Sequence, residues 1–283
     1  RQNIDTYQGV DLAEDSRMTL NEWLDRWLEQ TASILRPSTR ESYRNGMAHH
    51  VKPYLGQKTL TQITPADLRK LYDTLKQRGR VHPRSDQSRG LSTTTVHGIH
   101  TTLHHALNSA VNQRLLPYNP ADHEEPPKVA HKSLTILNAE QLGTFLAAVE
   151  QAPIWKDFFY AELTTGLRRG ELLALLWTDL DVEKRTISIT KQVTRTKGEL
   201  VVSQPKTHNS IRVLPVSQQA VELLVEEHKK HLGNPHMFPS PKTGGMFDPD
   251  SFRHTHEKIL KSIGAEHIRF HDLRHTFATL SLK

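Results

Sequence analysis

The sequence predicts a mostly helical protein with a small antiparallel β-sheet, built as a helical first domain and a mixed α+β second domain. Three observations predict it: apolar residues at helical spacing up to Val111, a proline-rich charged stretch from Asn119 to Ala130, and a switch to alternation between Thr186 and Val216. Residues 1–17 are polar and aperiodic and read as a linker or the tail of a further domain. Thr19 and Glu22 form a capping box, and Leu20, Trp23, Leu24, Trp27 and Leu28 follow as one buried stripe. Pro37 and Ser38 interrupt the chain. Ser38 with Glu41 reads as a second capping box, for a helix from about Thr39 that turns Tyr43, Met47 and Val51 inward. A third helix begins at Thr64–Pro65 and ends near Gly79, with Leu68, Leu71, Tyr72 and Leu75 as its apolar face. Val81 to Gly90 is basic and turn-rich, hence a loop. A fourth helix starts after Ser92 and buries Val96, Ile99, Leu103, Leu107 and Val111.

Asn119 to Ala130 carries three prolines and both signs of charge. Such a stretch prevents helix and lacks the apolar content to pack a core, so the helical domain is expected over 18–122, a linker over 123–136 and the second domain over 137–283. There Asn138, with Gln141 reaching back, caps a helix that buries Leu142, Phe145, Leu146 and Val149. Another runs from about Trp155 to Thr164, Gly166 breaks it, and Glu171 to Leu176 begins the next. The pairs Ile187/Ile189, Leu200/Val202 and Ile211/Val213 alternate as strands, with turns at Lys197–Gly198 and Thr207–Asn209. Helices return after Ser217, after Pro249 and near Asp272.

Composition narrows the function classes. Without cysteine there are neither disulfides nor thiolate metal sites. The longest strongly apolar run, Leu172 to Trp177, is far short of the roughly 20 residues of a membrane span, and Arg1 to Val10 lacks the apolar core of a secretory signal. A cytoplasmic location and no membrane partner are the expectation. A formal charge of +6, with 18 histidines besides, favours a polyanionic partner, because Lys and Arg on phosphates release condensed counterions.

Three segments carry candidate chemistry. In Thr165-Gly166-Leu167-Arg168-Arg169-Gly170-Glu171-Leu172 a glycine break leaves amides exposed, with Arg168 at the mouth of the turn. A guanidinium there can fork onto two phosphate oxygens, which an ammonium cannot copy. The same turn also serves as a plain helix connection with solvated arginines. In Gln204-Pro205-Lys206-Thr207, closed by Ser210-Ile211-Arg212, Lys206 sits at a hairpin, where it can reach a site from its edge or simply face water. In His271-Asp272-Leu273-Arg274-His275-Thr276, His271 and Arg274 share a helical face, an anion site with a group that moves protons near neutral pH. The alternatives are a metal cluster, which arginine disfavours, or a surface histidine.

In that order, arginine in a helical turn, lysine on a hairpin and then His-x-x-Arg, these segments resemble the catalytic domain of the tyrosine recombinases, the phage-type integrases. "TLNEWLDRWL", "RPSTRESYRNGMAHHVKPYLG" and "STTTVHGIHTTLHHALNSAVNQRLLPYNPA" likewise resemble the helical core-binding domain of integrases from phages and conjugative transposons. The resemblance implies a two-domain clamp on duplex DNA that cleaves and rejoins strands through a 3′-phosphotyrosine, for integration or excision of a mobile element. Carried over by position, Arg168 and Arg274 hold the scissile phosphate, Lys206 protonates the departing 5′ oxygen and His271 assists proton transfer. Glu171 and His275 are implied as supports, although Glu171 also fits a simple charge at a helix start. DNA contacts are implied for Thr93, Thr94, His97, His100 and His104 on one helix, for Thr39, Arg40, Tyr43 and Arg44 on another (Tyr43 with the core as its alternative), and for Arg212. No metal or cofactor is implied. The implied partners are double-stranded recombination sites, further copies in a tetramer on synapsed DNA, and an accessory protein for excision.

The pattern also calls for a tyrosine downstream of His-x-x-Arg. The six tyrosines, Tyr7, Tyr43, Tyr54, Tyr72, Tyr118 and Tyr160, all precede Arg168. The nucleophile is therefore expected beyond Lys283, and the chain as written is expected to bind DNA without cutting it. Rival readings are a DNA-binding regulator or architectural protein, a type IB topoisomerase, and a histidine metalloprotein.

Overall fold

The computed structural model describes residues 17–83, 88–129, 137–196, 198–205, 210–265, 268–269, 272–274 and 276, without the side chains of 251 and 252. The chain divides into two compact units, Arg1–His131 and Lys132–Lys283. No helix among the described residues is long and apolar enough to cross a membrane.

Among its described residues the first unit is helical: α1 Leu20–Gln30, α2 Pro37–His50, α3 Lys52–Leu55, α4 Pro65–Arg78 and α5 Thr93–Asn112. Thr19 and Glu22 satisfy each other's backbone N–H groups at the start of α1, and Thr64 with Asp67 does the same for α4. The apolar stripes converge on one core, in which Trp23, Leu24, Met47, Leu68, Leu75 and Leu103 are fully enclosed. The buried Trp23 indole donates to the carbonyl of Ala106 at 2.9 Å, tying α1 to α5. The second helix differs from expectation. It starts at Pro37 with Arg36 as its cap, so Ser38 lies inside the first turn. Proline, with φ preset and no N–H to satisfy, is the better first residue.

The proline-rich stretch also corrects the sequence reading. Asn119 is buried and caps a 3-10 turn, Pro120–His123, by accepting the Ala121 N–H, while its amide donates to the carbonyl of His104. Arg69 then forks onto the buried carboxylate of Glu124, and His97 Nδ1 lies 3.3 Å from the carbonyl of Pro127. The segment lacks apolar bulk, yet it packs, because each polar group it buries finds a partner.

In the second unit, α6 Ala139–Glu150 and α7 Lys156–Thr165 precede α8 Arg169–Leu173, and α9 Gln218–Lys230 and α10 Ser251–Ser262 follow the strands. Residues 272–274 and 276 are again helical. The expected helix over 171–176 ends at Leu173, since the carbonyl of Leu175 is taken by the N–H of Met237. The strands form two antiparallel sheets. β1 Leu180–Asp181, β2 Thr186–Ile189 and β5 Arg212–Pro215 pair in the order β1-β2-β5, whereas β3 Gln192–Thr196 and β4 Glu199–Ser203 make a separate hairpin. Ile211 and Val213 are exposed, contrary to the alternation read from them. Register explains this: Ile187 faces Leu214 and Ile189 faces Arg212, and directly opposed residues share a sheet face. With Ile187 and Ile189 buried, Leu214 and Arg212 turn inward.

Trp23→Ala removes both the largest enclosed side chain of the first core and its link to α5. We expect a loss of about 3–5 kcal/mol in unfolding free energy, read by urea titration.

Candidate active site

Gly166 ends α7 in the left-handed region at φ 60°, a conformation that favours glycine, and turns the chain so that Arg168 becomes the residue before α8. Close packing fixes α8. A Cβ on Gly170 would lie 2.6 Å from the carbonyl oxygen of Val193, so the helix rests directly on β3.

Glu171, one turn into α8, is almost wholly buried and holds two arginines. Its carboxylate accepts the Arg168 N–H at 3.1 Å and Arg168 Nη1 at 2.8 Å, and takes Arg212 from β5 through Nη2 at 2.9 Å and Nη1 at 3.2 Å. Burial works to raise the pKa of this carboxyl, but the hydrogen bonds from Arg212 and Arg168 outweigh it and hold the group below its ordinary value. Glu171 is thus both the charge at the helix start and the support for Arg168.

Arg274, 106 residues after Arg168 in the chain, closes the cluster: its Nη1 donates to the carbonyl of Gly166 at 2.6 Å. Burial, then the positive charge of Arg168, pull the Arg274 guanidinium below its ordinary pKa, with Glu171 and Glu162 acting the other way. It remains cationic, since arginine starts so high. Its helix is anchored by Asp272, whose buried carboxylate accepts the Arg269 N–H at 2.8 Å and the Arg269 guanidinium at 2.9 and 3.0 Å. Thr276 accepts the N–H of Leu137, tying this helix to the start of the unit. Arg168 and Arg169 also line a cleft of about 710 Å³ shared with Arg195, Arg253 and Arg269, while Arg212 and Arg274 lie outside its lining.

The structure therefore gathers Arg168, Glu171, Arg212 and Arg274. Lys206, His271 and His275 lie outside the described residues. Arg212, read from the sequence as a DNA contact, is instead turned inward onto Glu171. In the first unit the expected histidine face is not a free one. His100 is buried with Nδ1 2.8 Å from the Tyr72 hydroxyl, and His104 Nε2 lies 2.7 Å from Asp122. Burial, with His104 and His97 close by, pushes His100 below its ordinary pKa. The exposed face of α5 carries Thr94, Gly98, Thr101 and His105, with Thr93 exposed beside it. Tyr43 stacks on Trp27 with ring centroids 5.8 Å apart, which is its core alternative; Thr39, Arg40 and Arg44 are half-buried.

Comparison with known proteins gives this cluster its context. The model of the phage integrase family matches residues 135–282, and the model of the phage integrase N-terminal SAM-like domain matches residues 19–76. The chain belongs to the phage integrase family. A tyrosine recombinase XerC-like protein of Caldanaerobacter subterraneus is 27% identical over 93% of this chain and 72% of that protein. The ICEBs1 integrase of Bacillus subtilis is 31% identical over 68% of the chain and 55% of its own length. In structure, this integrase-family chain is similar to the Tn1549 transposon integrase solved with transposon right end DNA, at a TM-score of 0.79 with 20% identity, over 93% of this chain and 86% of that one. At that identity the likeness is one of fold.

Two residues of this integrase-family site escape sequence reading. Asp272 lies inside the quoted motif, and its place one turn after Arg269 was the available signal. Glu162 stands outside every motif, and only burial reveals it.

Glu171→Gln should cost about 1–2 kcal/mol at neutral pH, discounted because Arg168 is half exposed. The wild-type carboxyl has a depressed folded-state pKa, so its contribution is present above the unfolded carboxylate pKa and lost as pH falls through the folded value. Urea titrations across an acid pH series should show the two proteins converging on acidification.

Gly170→Ala should destabilise by about 1–3 kcal/mol, because its methyl group meets backbone rather than a movable side chain. The same titration checks it.

Proposed function

We propose that this protein is a site-specific recombinase of the integrase type, acting on double-stranded DNA to integrate or excise a mobile element. What supports the reading most is the meeting of Arg168 and Arg274 at one turn, with Arg274 on the Gly166 carbonyl and Arg168 held by Glu171. In this reading the two guanidiniums grip the non-bridging oxygens of the scissile phosphate and stabilise the charge of the pentavalent transition state. Glu171, itself held by Arg212, keeps Arg168 in a fixed pose, so little reorganisation is needed when the phosphate arrives. Lys206 supplies the proton to the departing 5′ oxygen and His271 moves the proton of the attacking group, with His275 as support. These three assignments rest on the family motif.

The attacking tyrosine is not within residues 1–283 in this reading. Tyr72 is enclosed beside His100, Tyr43 stacks on Trp27, and Tyr160 donates to Glu150. Residues 1–283 then bind duplex through both units and leave its strands intact. Duplex contacts of the first unit are assigned to Thr93, Thr94, Thr39, Arg40 and Arg44, with His97 and His104 at the margin, since both already engage their own unit. Exchange between two DNA sites takes several protomers, and a tetramer on synapsed DNA is the assembly proposed.

The test uses end-labelled duplex from the ends of the mobile element. Residues 1–283 should shift it, with affinity falling steeply as salt rises, and should release no fragment. In a form extended through a downstream tyrosine, Arg168→Lys should lower cleavage by about 100-fold or more, by analogy with the loss of a transition-state hydrogen-bond donor, while duplex affinity stays nearly unchanged. Equal loss of binding and cleavage would favour a regulator without chemistry, and supercoil relaxation that needs no specific site would favour a topoisomerase.

A further inference from the structure

Three imidazoles run along one side of α5. His97, His100 and His104 follow at helical spacing, with ring centroids 6.4 and 5.9 Å from one to the next. Two neighbours pack on this row. From α4 comes Tyr72, whose hydroxyl lies 2.8 Å from His100 Nδ1. The chain after α5 returns across the row as a strap, residues 119–128. His104 Nε2 donates to Asp122 at 2.7 Å, His97 Nδ1 lies 3.3 Å from the Pro127 carbonyl, and Asn119 donates to the His104 carbonyl. Between these points Arg69 of α4 grips Glu124. The strap lies close to the end of the first unit, at His131, where the chain passes into the second.

The outer and central imidazoles differ in what a proton does to them. A carbonyl and a carboxylate only accept, so His97 and His104 can keep an N–H on their partners in either charge state. His100 is 8% exposed, and its partner among the described residues is a phenol. An imidazolium carries N–H on both nitrogens. Once His100 is charged, the Tyr72 hydroxyl can only accept, and a buried cation lies between two further imidazoles. We infer that the His97–His100–His104 row is a pH-sensitive clasp: neutral, it holds residues 119–128 on α5, and a proton on His100 opens it and lengthens the tether between the two units.

The charged and titratable groups around His100 are Tyr72 and Arg69 on α4, His97 and His104 on α5, and Asp122 and Glu124 on the strap. Burial, then His104 and His97, push the His100 pKa below its ordinary value, and only Glu124, already gripped by Arg69, acts the other way. A base whose folded-state pKa is depressed contributes stability that is fully present above its unfolded value, about 6.5, and lost as pH falls through the folded value. The clasp is closed at neutral pH and opens on acidification.

The experiment is amide hydrogen exchange of residues 1–283, read by mass spectrometry from about pH 7.5 to 5.5 and corrected for the intrinsic pH dependence of exchange, for wild type and His100→Gln. In the wild type the peptide over 119–128 should lose protection as pH falls, its opening constant rising by up to about tenfold per unit below the ordinary histidine value. Peptides of α1 should stay protected. A glutamine amide can still accept from Tyr72 but does not titrate, so the variant should show a flatter dependence. His97, His104 and Asp122 are common to both proteins and cancel in the difference. A second measurement needs no variant: nuclear magnetic resonance of the wild-type histidine rings should give His100 a midpoint below the ordinary histidine value, shared with the resonances of the strap. Strap protection that ignores pH, or falls equally in His100→Gln, would overturn the clasp. So would a His100 midpoint that differs from that of the strap.

Discussion

The second unit depends on the buried Glu171 carboxylate. Taking a carboxylate out of water costs several kcal/mol unless its lone pairs are filled, and here they are filled by Arg168 through backbone and side chain and by Arg212 through both terminal nitrogens. That requirement reaches well beyond the ion pair. It fixes where α8 begins, because the Arg168 N–H is one of the donors. It sets the phase of β5, because Arg212 must point inward. With Arg212 inward, Leu214 joins the core and Val213 is left outside, 63% exposed. An alternation of hydrophobicity has been overruled by one charge.

The first unit manages polarity differently. Hydroxyls of Thr19, Thr64 and Ser92 cap α1, α4 and α5, while α5 turns the imidazoles of His97, His100 and His104 toward its own unit. His100 and Tyr72 satisfy one another in the interior, and burial raises the Tyr72 hydroxyl's pKa. His104 with Asp122, and Arg69 with Glu124, fasten the segment after α5. What remains on the open side of α5 is small through its first half, Thr94, Gly98 and Thr101, with the imidazole of His105 following. A helix surface with little bulk along Thr94, Gly98 and Thr101 can approach another molecule closely, and side-chain hydroxyls suit phosphate oxygens.

Much of this was legible in the sequence, and the reasons for success and failure are physical. The capping boxes at Thr19 and Asn138 are legible because they are local, with cap and partner three residues apart, whereas the one expected at Ser38 gives way to Pro37 at the first helical position. Gly166 was legible because a left-handed turn needs glycine. The two arginines could be proposed as partners only through the order of motifs; no spacing rule joins Arg168 to Arg274. Helical spacing put His97, His100 and His104 on one face but could not tell which way that face turns, since imidazole is neutral enough to be buried when a hydroxyl meets it. The stretch after Asn119 defeats pattern reading because it packs without apolar content, on the satisfied polar groups of Asn119 and Glu124. Glu162 was invisible, being a single acid among alanine, leucine and threonine whose burial depends on elements far along the chain.

The two buried carboxylates of the cluster are best understood by what each has left to accept. Glu171 is saturated, so removing a partner would strand a charge, and a phosphate arriving from outside offers it nothing. Glu162 is unsaturated on one oxygen, and burial holds its carboxyl well above the ordinary carboxylate value, with Arg169 and Arg274 opposing. In the proposed phosphate site Glu171 therefore fixes geometry. A lysine in place of Arg168 could keep the charge, but it could not give Glu171 a guanidinium edge while leaving further planar donors for an oxygen anion. Preorganisation by Glu171 demands arginine at this turn for the same reason that planar recognition of phosphate does.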